Sequence, residues 1–185
     1  MEAWRESLVA RLRAYAAGPL DAGERAMAGE FAPFISAHAD CLWRTCVPGH
    51  LTASAWIVDP ARRRTLLTHH HKLDRWLQLG GHVDGHPDLA ASALREGREE
   101  SGLTKLVLVS DEIFDLDRHR IPARGTEPEH WHYDVRFLIE ADPAEPLVVT
   151  SESKDLAWVE LARVAELNPG ESLGRMVRKT RWPLS

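Results

Sequence analysis

A chain of 185 residues has room for one full domain with an extension, and hardly for two independent cores. With 44% hydrophobic and 28% charged residues it has a soluble globular composition, and no apolar run could span a bilayer as a helix. A net charge of −5 without a basic stripe argues against a nucleic-acid duplex as the main partner. The N-terminal stretch MEAWRESLVARLRAYAAG is charged throughout and lacks a signal peptide's apolar segment. Cys41 and Cys46 are too few for a disulfide framework, so the expected home is the cytoplasm.

Residues 2 to 17 put Trp4, Leu8, Leu12 and Tyr15 at the spacing of one helical face, and Gly18-Pro19 ends that helix. A second helix is expected from Asp21, its N-cap, to about Ala39, with Pro33 as a kink or break. LTASAWIVD (51–59) and RTLLTH (64–69) read as strands around a turn at Asp59-Pro60. DRWLQL (74–79) is a third extended piece before Gly80-Gly81, and a helix follows over 88–101, closed by Gly102. KLVLVS (105–110) and EIFDLD (112–117) read as strands, and a loop with Pro122, Gly125 and Pro128 leads to the alternating WHYDVRFLIE (131–140). LVVT (147–150), an acidic bend SESKDL (151–156) and the short strand AWVE (157–160) precede two short helices, around 161–166 and 172–180. The order predicts a helical extension over 1–45 and an α/β domain over 46–185. The apolar face of the extension must be covered by the domain or by a second subunit in a homodimer.

The helix over 88–101 carries the chemistry. Glu96, Glu99 and Glu100 fall within roughly a third of its circumference, beside an apolar face of Ala90, Ala93, Leu94 and Gly97. Two glutamates on a helix are usually a solvated face. Here three crowd toward a helix C-terminus, where the dipole penalises negative charge, and Arg95 and Arg98 lie aside and neutralise them only partly. A hard divalent cation with oxygen ligands is the expected counter-charge.

In order and spacing, Gly81, Arg95, Glu96, Glu99, Glu100, Gly102 and Leu103 resemble the Nudix hydrolase signature, G-x5-E-x7-R-E-U-x-E-E-x-G-U, with U a bulky aliphatic. Pro87 stands in the slot of the first glutamate, Gly97 in that of the aliphatic, and Leu79 where a proline usually precedes the paired glycine. The similarity spans about residues 50 to 165. It implies a Nudix-type α/β/α sandwich with a mixed sheet, extended by the N-terminal helices. It also implies Mg²⁺ or Mn²⁺ held by the Gly80 backbone oxygen, Glu96, Glu99 and Glu100, with Arg95 in the catalytic set. The implied reaction is attack of water on phosphorus in a small-molecule diphosphate of the nucleoside diphosphate-X type. Because Pro87 removes the usual partner of the motif arginine, Asp84 or Asp88 is expected to take Arg95. Gly97 gives up about 1 kcal/mol of helix propensity relative to Ala and permits close packing on the sheet.

Two rivals share the fold. A non-catalytic nucleotide-binding module or regulator would account for Pro87. An isopentenyl diphosphate isomerase expects a cysteine in a tryptophan-containing stretch followed by histidine, which CLWRTCVPGH (41–50) resembles only superficially and in the wrong place.

Other candidates lie outside the motif. Glu152, in the acidic bend, is the further carboxylate that many Nudix enzymes supply as base or ligand, with Asp155 in reserve. Among ten histidines, His82 beside the paired glycine has the best claim to a substrate phosphate. His130 and His132 share a strand face with Asp134, a set suited to a transition metal or a phosphate, with His132 the substrate-side candidate. Trp76, Trp131 and Tyr133 read as core aromatics before base-stacking ones, and Arg62, Arg63 and Arg64 as a solvated loop tip.

Overall fold

The computed structural model describes residues 2–151 and 153–181. Two helices come first. In α1 (Ala3–Ala16) Leu8, Val9 and Leu12 are buried, and in α2 (Ala22–Ala37) Asp21 caps the N-terminus by accepting from the Glu24 N–H. Pro33 neither breaks nor ends α2, which runs on to Ala37 with Phe31, Phe34 and Ile35 buried around it. Burial of that aromatic face outweighs the lost backbone hydrogen bond.

The domain is built on eight strands among the described residues: β1 (Gly49–Val58), β2 (Arg64–His70), β3 (Arg75–Leu77), β4 (Leu79–His82), β5 (Val107–Leu108), β6 (Asp115–Ile121), β7 (His130–Glu140) and β8 (Ser153–Glu160). β1 lies parallel to β7 along its whole length, and the other pairings are antiparallel, so the sheet is mixed. The helix between them is α3 (Leu89–Ser101), and α4 (Val164–Leu167) and α5 (Glu171–Arg181) close the described chain.

Several boundaries differ from expectation. The extended piece 74–79 is divided at Gln78, because β3 pairs with β2 whereas β4 pairs with β1. The strand expected over 105–110 shrinks to Val107–Leu108, with Leu106 buried instead. The acidic bend is largely strand, since β8 runs from Ser153 against the full length of β2. Partner strands impose these limits, and local sequence does not carry them.

Odd residues of β1 and β7 face one layer and even residues the other. Leu51, Ala53, Ala55, Ile57, Tyr133, Val135 and Phe137 join α1, α2 and α3 in one apolar cluster, while Trp56, Val58 and Leu138 join Leu173 and Met176 of α5 in a second. Phe34 stacks on Tyr133 with ring centroids 3.8 Å apart, and Phe31 meets the same ring edge-on. The helical extension thus covers its apolar face with the sheet of its own chain. Arg62 and Arg64 are not free at the loop tip: Arg62 pairs with Glu140 and Arg64 with buried Asp59.

Candidate active site

α3 is built as its sequence dictates. Asp88 accepts from the Ala91 N–H at 2.9 Å as N-cap. Gly102, at φ 75°, ends the helix with its N–H bonded to the Arg98 carbonyl, in the left-handed conformation that favours glycine. Leu89, Ala90, Ala93 and Gly97 are buried, and Gly97 lies so close to the sheet that an added Cβ would stand 3.0 Å from Leu106 Cδ1 and 3.4 Å from Ile57 Cδ1.

The paired glycine brings β4 against this helix. A Cβ on Gly81 would sit 2.7 Å from the Glu96 carboxylate, and one on Gly80 would sit 2.7 Å from Ser54 Cα and 2.8 Å from the Ala53 carbonyl oxygen. Only glycine admits both approaches. Glu96 is mostly covered and Glu99 exposed, with Glu100 half-buried.

Arg95 does not pair with Asp84 or Asp88. Its Nη2 donates to the His82 carbonyl at 2.9 Å and approaches Glu96 Oε1 at 2.8 Å, while Nη1 donates to Glu99 Oε2 at 2.9 Å. Asp84 is taken by Arg44, at 2.8 and 2.9 Å, and Asp88 by the helix cap. Arg95 therefore lies within the acidic triplet rather than aside from it: its long side chain spans one turn to Glu99 and folds back to β4. Burial works against its charge, but Glu96 and Glu99 outweigh that and hold its pKa above the usual arginine value.

Glu152 lies outside the described residues. Asp155 sits on β8 opposite His69, whose ring stacks on Trp76 at 5.1 Å. Trp131 is half-buried under Arg118, and Tyr133 is core. Cys41 and Cys46 are free and buried; burial and the Asp40 carboxylate push Cys46 up to about 12, so neither resembles an activated thiol.

On the opposite face of the sheet the even-numbered positions of β1, β4 and β7 and the odd-numbered positions of β6 form polar ranks. His50, His132 and His119 stand side by side across β1, β7 and β6, and the next rank holds His82, Thr52, Asp134 and Asp117. His82 points its ring to this face, 5.0 Å from that of His50 and 5.1 Å from that of His132. Burial, reinforced by neighbouring cations, lowers His82 to about 4. His132 falls to about 2, through burial and then His119. Asp134, 1% exposed, accepts from Thr52 Oγ1 and Ser54 Oγ and from Arg136 Nε. Sequence reading missed His50, His119 and Arg136, because which strand neighbours which decides that they meet.

The strand β4, its paired glycine and the acidic helix α3 form one strand–loop–helix unit on a mixed sheet, the arrangement that defines the class of fold. The chain belongs to the NUDIX family, whose domain model matches residues 48–179. Solved structures support the fold. A C. elegans Ap4A hydrolase binary complex shares 22% identity over 70% of this chain and 93% of its own, with a TM-score of 0.56. The E. coli dihydroneopterin triphosphate pyrophosphohydrolase shares 18% over 70% and 92%, at 0.55. A UDP-X diphosphatase shares 15% but covers 96% of this chain and 91% of its own, at 0.50, so its likeness extends into the helical extension. No curated protein matches the sequence.

Proposed function

We propose that the protein is a cytoplasmic, divalent-metal-dependent hydrolase that cleaves the diphosphate linkage of a nucleoside diphosphate-X substrate. The observation that carries this reading is the fit of Glu96 against Gly81, where the absent Cβ leaves room for a carboxylate at the end of β4. Glu96, Glu99, Glu100 and the Gly80 carbonyl make an all-oxygen donor set, the kind that hard cations take. These residues would hold Mg²⁺ or Mn²⁺, which when bound neutralises charge on the diphosphate oxygens and favours ionisation of water.

The chain's own groups do the rest. Arg95 fixes Glu96 and Glu99 in orientation and ties them to β4 through the His82 carbonyl. One carboxylate of the set takes the proton of the attacking water as oxygen bonds to phosphorus and the anhydride P–O bond breaks. Glu152 is assigned as the further carboxylate for that proton. His82, which follows the paired glycine, is assigned to the moiety beyond the diphosphate, with its ring beside that of His50. A nucleotide-derived substrate agrees with what the structural relatives are named for.

The rival reading, a binding module, draws on Pro87 and on the engagement of Glu96 and Glu99 by Arg95. One experiment separates the two. Purified protein is assayed for phosphate release on nucleotide sugars, dinucleoside polyphosphates and ADP-ribose with Mg²⁺ or Mn²⁺, beside Glu100→Gln. Turnover that falls at least 100-fold in the variant supports the hydrolase. Substrate binding without turnover in the wild type would establish the module instead.

A further inference from the structure

We infer that His50, His130 and His132 form a second metal centre, for a transition-metal ion of the Zn²⁺ type, on the sheet face opposite the acidic helix. The three rings come from β1 and β7, and one nitrogen from each lies within 4.8 Å of the others. Nε2 of His130 stands 3.3 Å from Nε2 of His132. Two imidazole nitrogens at about 2.0–2.1 Å from one tetrahedral ion are separated by about 3.3–3.4 Å. The spacing is that of two ligands of one ion, and also that of the hydrogen bond the two rings share without one.

Two further features fit a centre and suit an ordinary core poorly. His130 Nδ1 donates to the Pro128 carbonyl at 2.9 Å, which leaves the Nε2 lone pair aimed at His132. That backbone bond is the outer support metal-binding histidines usually have. His50 is 1% exposed, yet neither of its ring nitrogens makes a hydrogen bond of regular geometry. The Cys46 backbone and the Glu127 carboxylate favour its charged form, but burial followed by His130 outweighs them and lowers it to about 4. Buried polar atoms without partners are rare, and ligation is one way to satisfy them.

The chemistry selects the ion. Neutral imidazoles suit Zn²⁺, Cu²⁺ or Ni²⁺, whereas Mg²⁺ prefers the oxygens of the other face. Glu127 Oε1, 3.8 Å from His130 Nε2, supplies a negative neighbour, and the ring of His82 stands at the rim. Three histidines leave one tetrahedral position for water or an incoming anion.

The test is calorimetric titration of metal-stripped, full-length protein with Zn²⁺ in saturating Mg²⁺, with X-ray absorption on the zinc-loaded wild type. One bound equivalent, weakened at least 100-fold by His132→Asn or His50→Asn and unchanged by Glu100→Gln, supports the centre. So does a coordination shell with three or more imidazole nitrogens, a readout that needs no variant to fold. Absence of Zn²⁺ binding would reduce the cluster to packed histidines. Binding lost in Glu100→Gln and kept in the histidine variants, or an oxygen-dominated shell, would place the ion on the acidic helix and overturn the inference.

Discussion

Arg95 and Gly81 set where Glu96 and Glu99 stand. The guanidinium is about two-fifths exposed, so its pairs with Glu96 and Glu99 add little to stability; exposed pairs contribute about 0–1 kcal/mol. Their value lies in orientation. Arg95→Ala should leave the thermal midpoint within a few degrees of wild type and lower turnover at least tenfold. Circular dichroism and phosphate-release assays measure the two effects separately. Gly81→Ala should behave in the same way for a different reason, because its Cβ would enter the space of the Glu96 carboxylate. An active Gly81→Ala protein would show that Glu96 is not needed at that position. Gly80→Ala should be worse, since its Cβ meets backbone of β1, which cannot swing aside as a side chain can.

At the scale of the element, α3 trades propensity for proximity. Gly97 occupies a slot where the family signature has a bulky aliphatic, and it faces Ala55 and Ile57 of β1. Gly97→Ala should gain up to about 1 kcal/mol of helix propensity, offset by displacement of Leu106 Cδ1 from 3.0 Å. The net change should stay within about 0.5 kcal/mol in urea unfolding. Gly97→Leu has no such room and should cost about 1–3 kcal/mol. A stabilising Gly97→Leu would mean that the helix stands further from the sheet than described. α2 gives the complementary lesson: Pro33 reads in the sequence as a kink or break, and burial of Phe31, Phe34 and Ile35 carries the helix through it.

At the scale of the molecule, Asp115 ties both layers together around the edge of the sheet. It is fully buried on β6 and accepts from Arg175 and Lys179 of α5 and from Arg136 of β7. Lys179 also pairs with Glu24 of α2, beside Tyr15 of α1. Asp115→Asn should leave these cations under-compensated and cost about 3–5 kcal/mol in urea unfolding. Removal of residues 1–45 should strip α1 and α2 from Tyr133, Val135 and Phe137 and cause aggregation. A truncated protein that stays soluble and folded would contradict that.

Acid should act in two stages. His50 and His132 titrate near 4 and 2 in the fold against about 6.5 when unfolded, so the unfolded chain binds more protons below about 6.5. Stability is then full above that pH and falls as pH drops toward 4. Asp117 is opposed by burial but held low by His119 and Arg136. Its contribution persists above about pH 3.9 and is lost below it. Thermal unfolding from pH 7 to 3 checks both limbs, and a flat profile between 6.5 and 4 would contradict the first.

The sequence by itself determined what is local. The Asp88 cap, the Gly102 terminus and the i, i+3, i+4 glutamates place α3 and its acidic face, because helix geometry needs only near neighbours. Alternation set which residues of β1 and β7 share a face, and the paired glycine marked where strand meets helix. Tertiary structure decided the partners. Asp84 was within sequence reach of Arg95, yet Arg44 from a distant loop claims it. β1 could pair with many segments, and its parallel register with β7 sets His50 beside His132, more than eighty residues away. Strand pairing is a long-range choice with a period of two, so a shift of one residue in β1 would have turned His50 away from the face of His132.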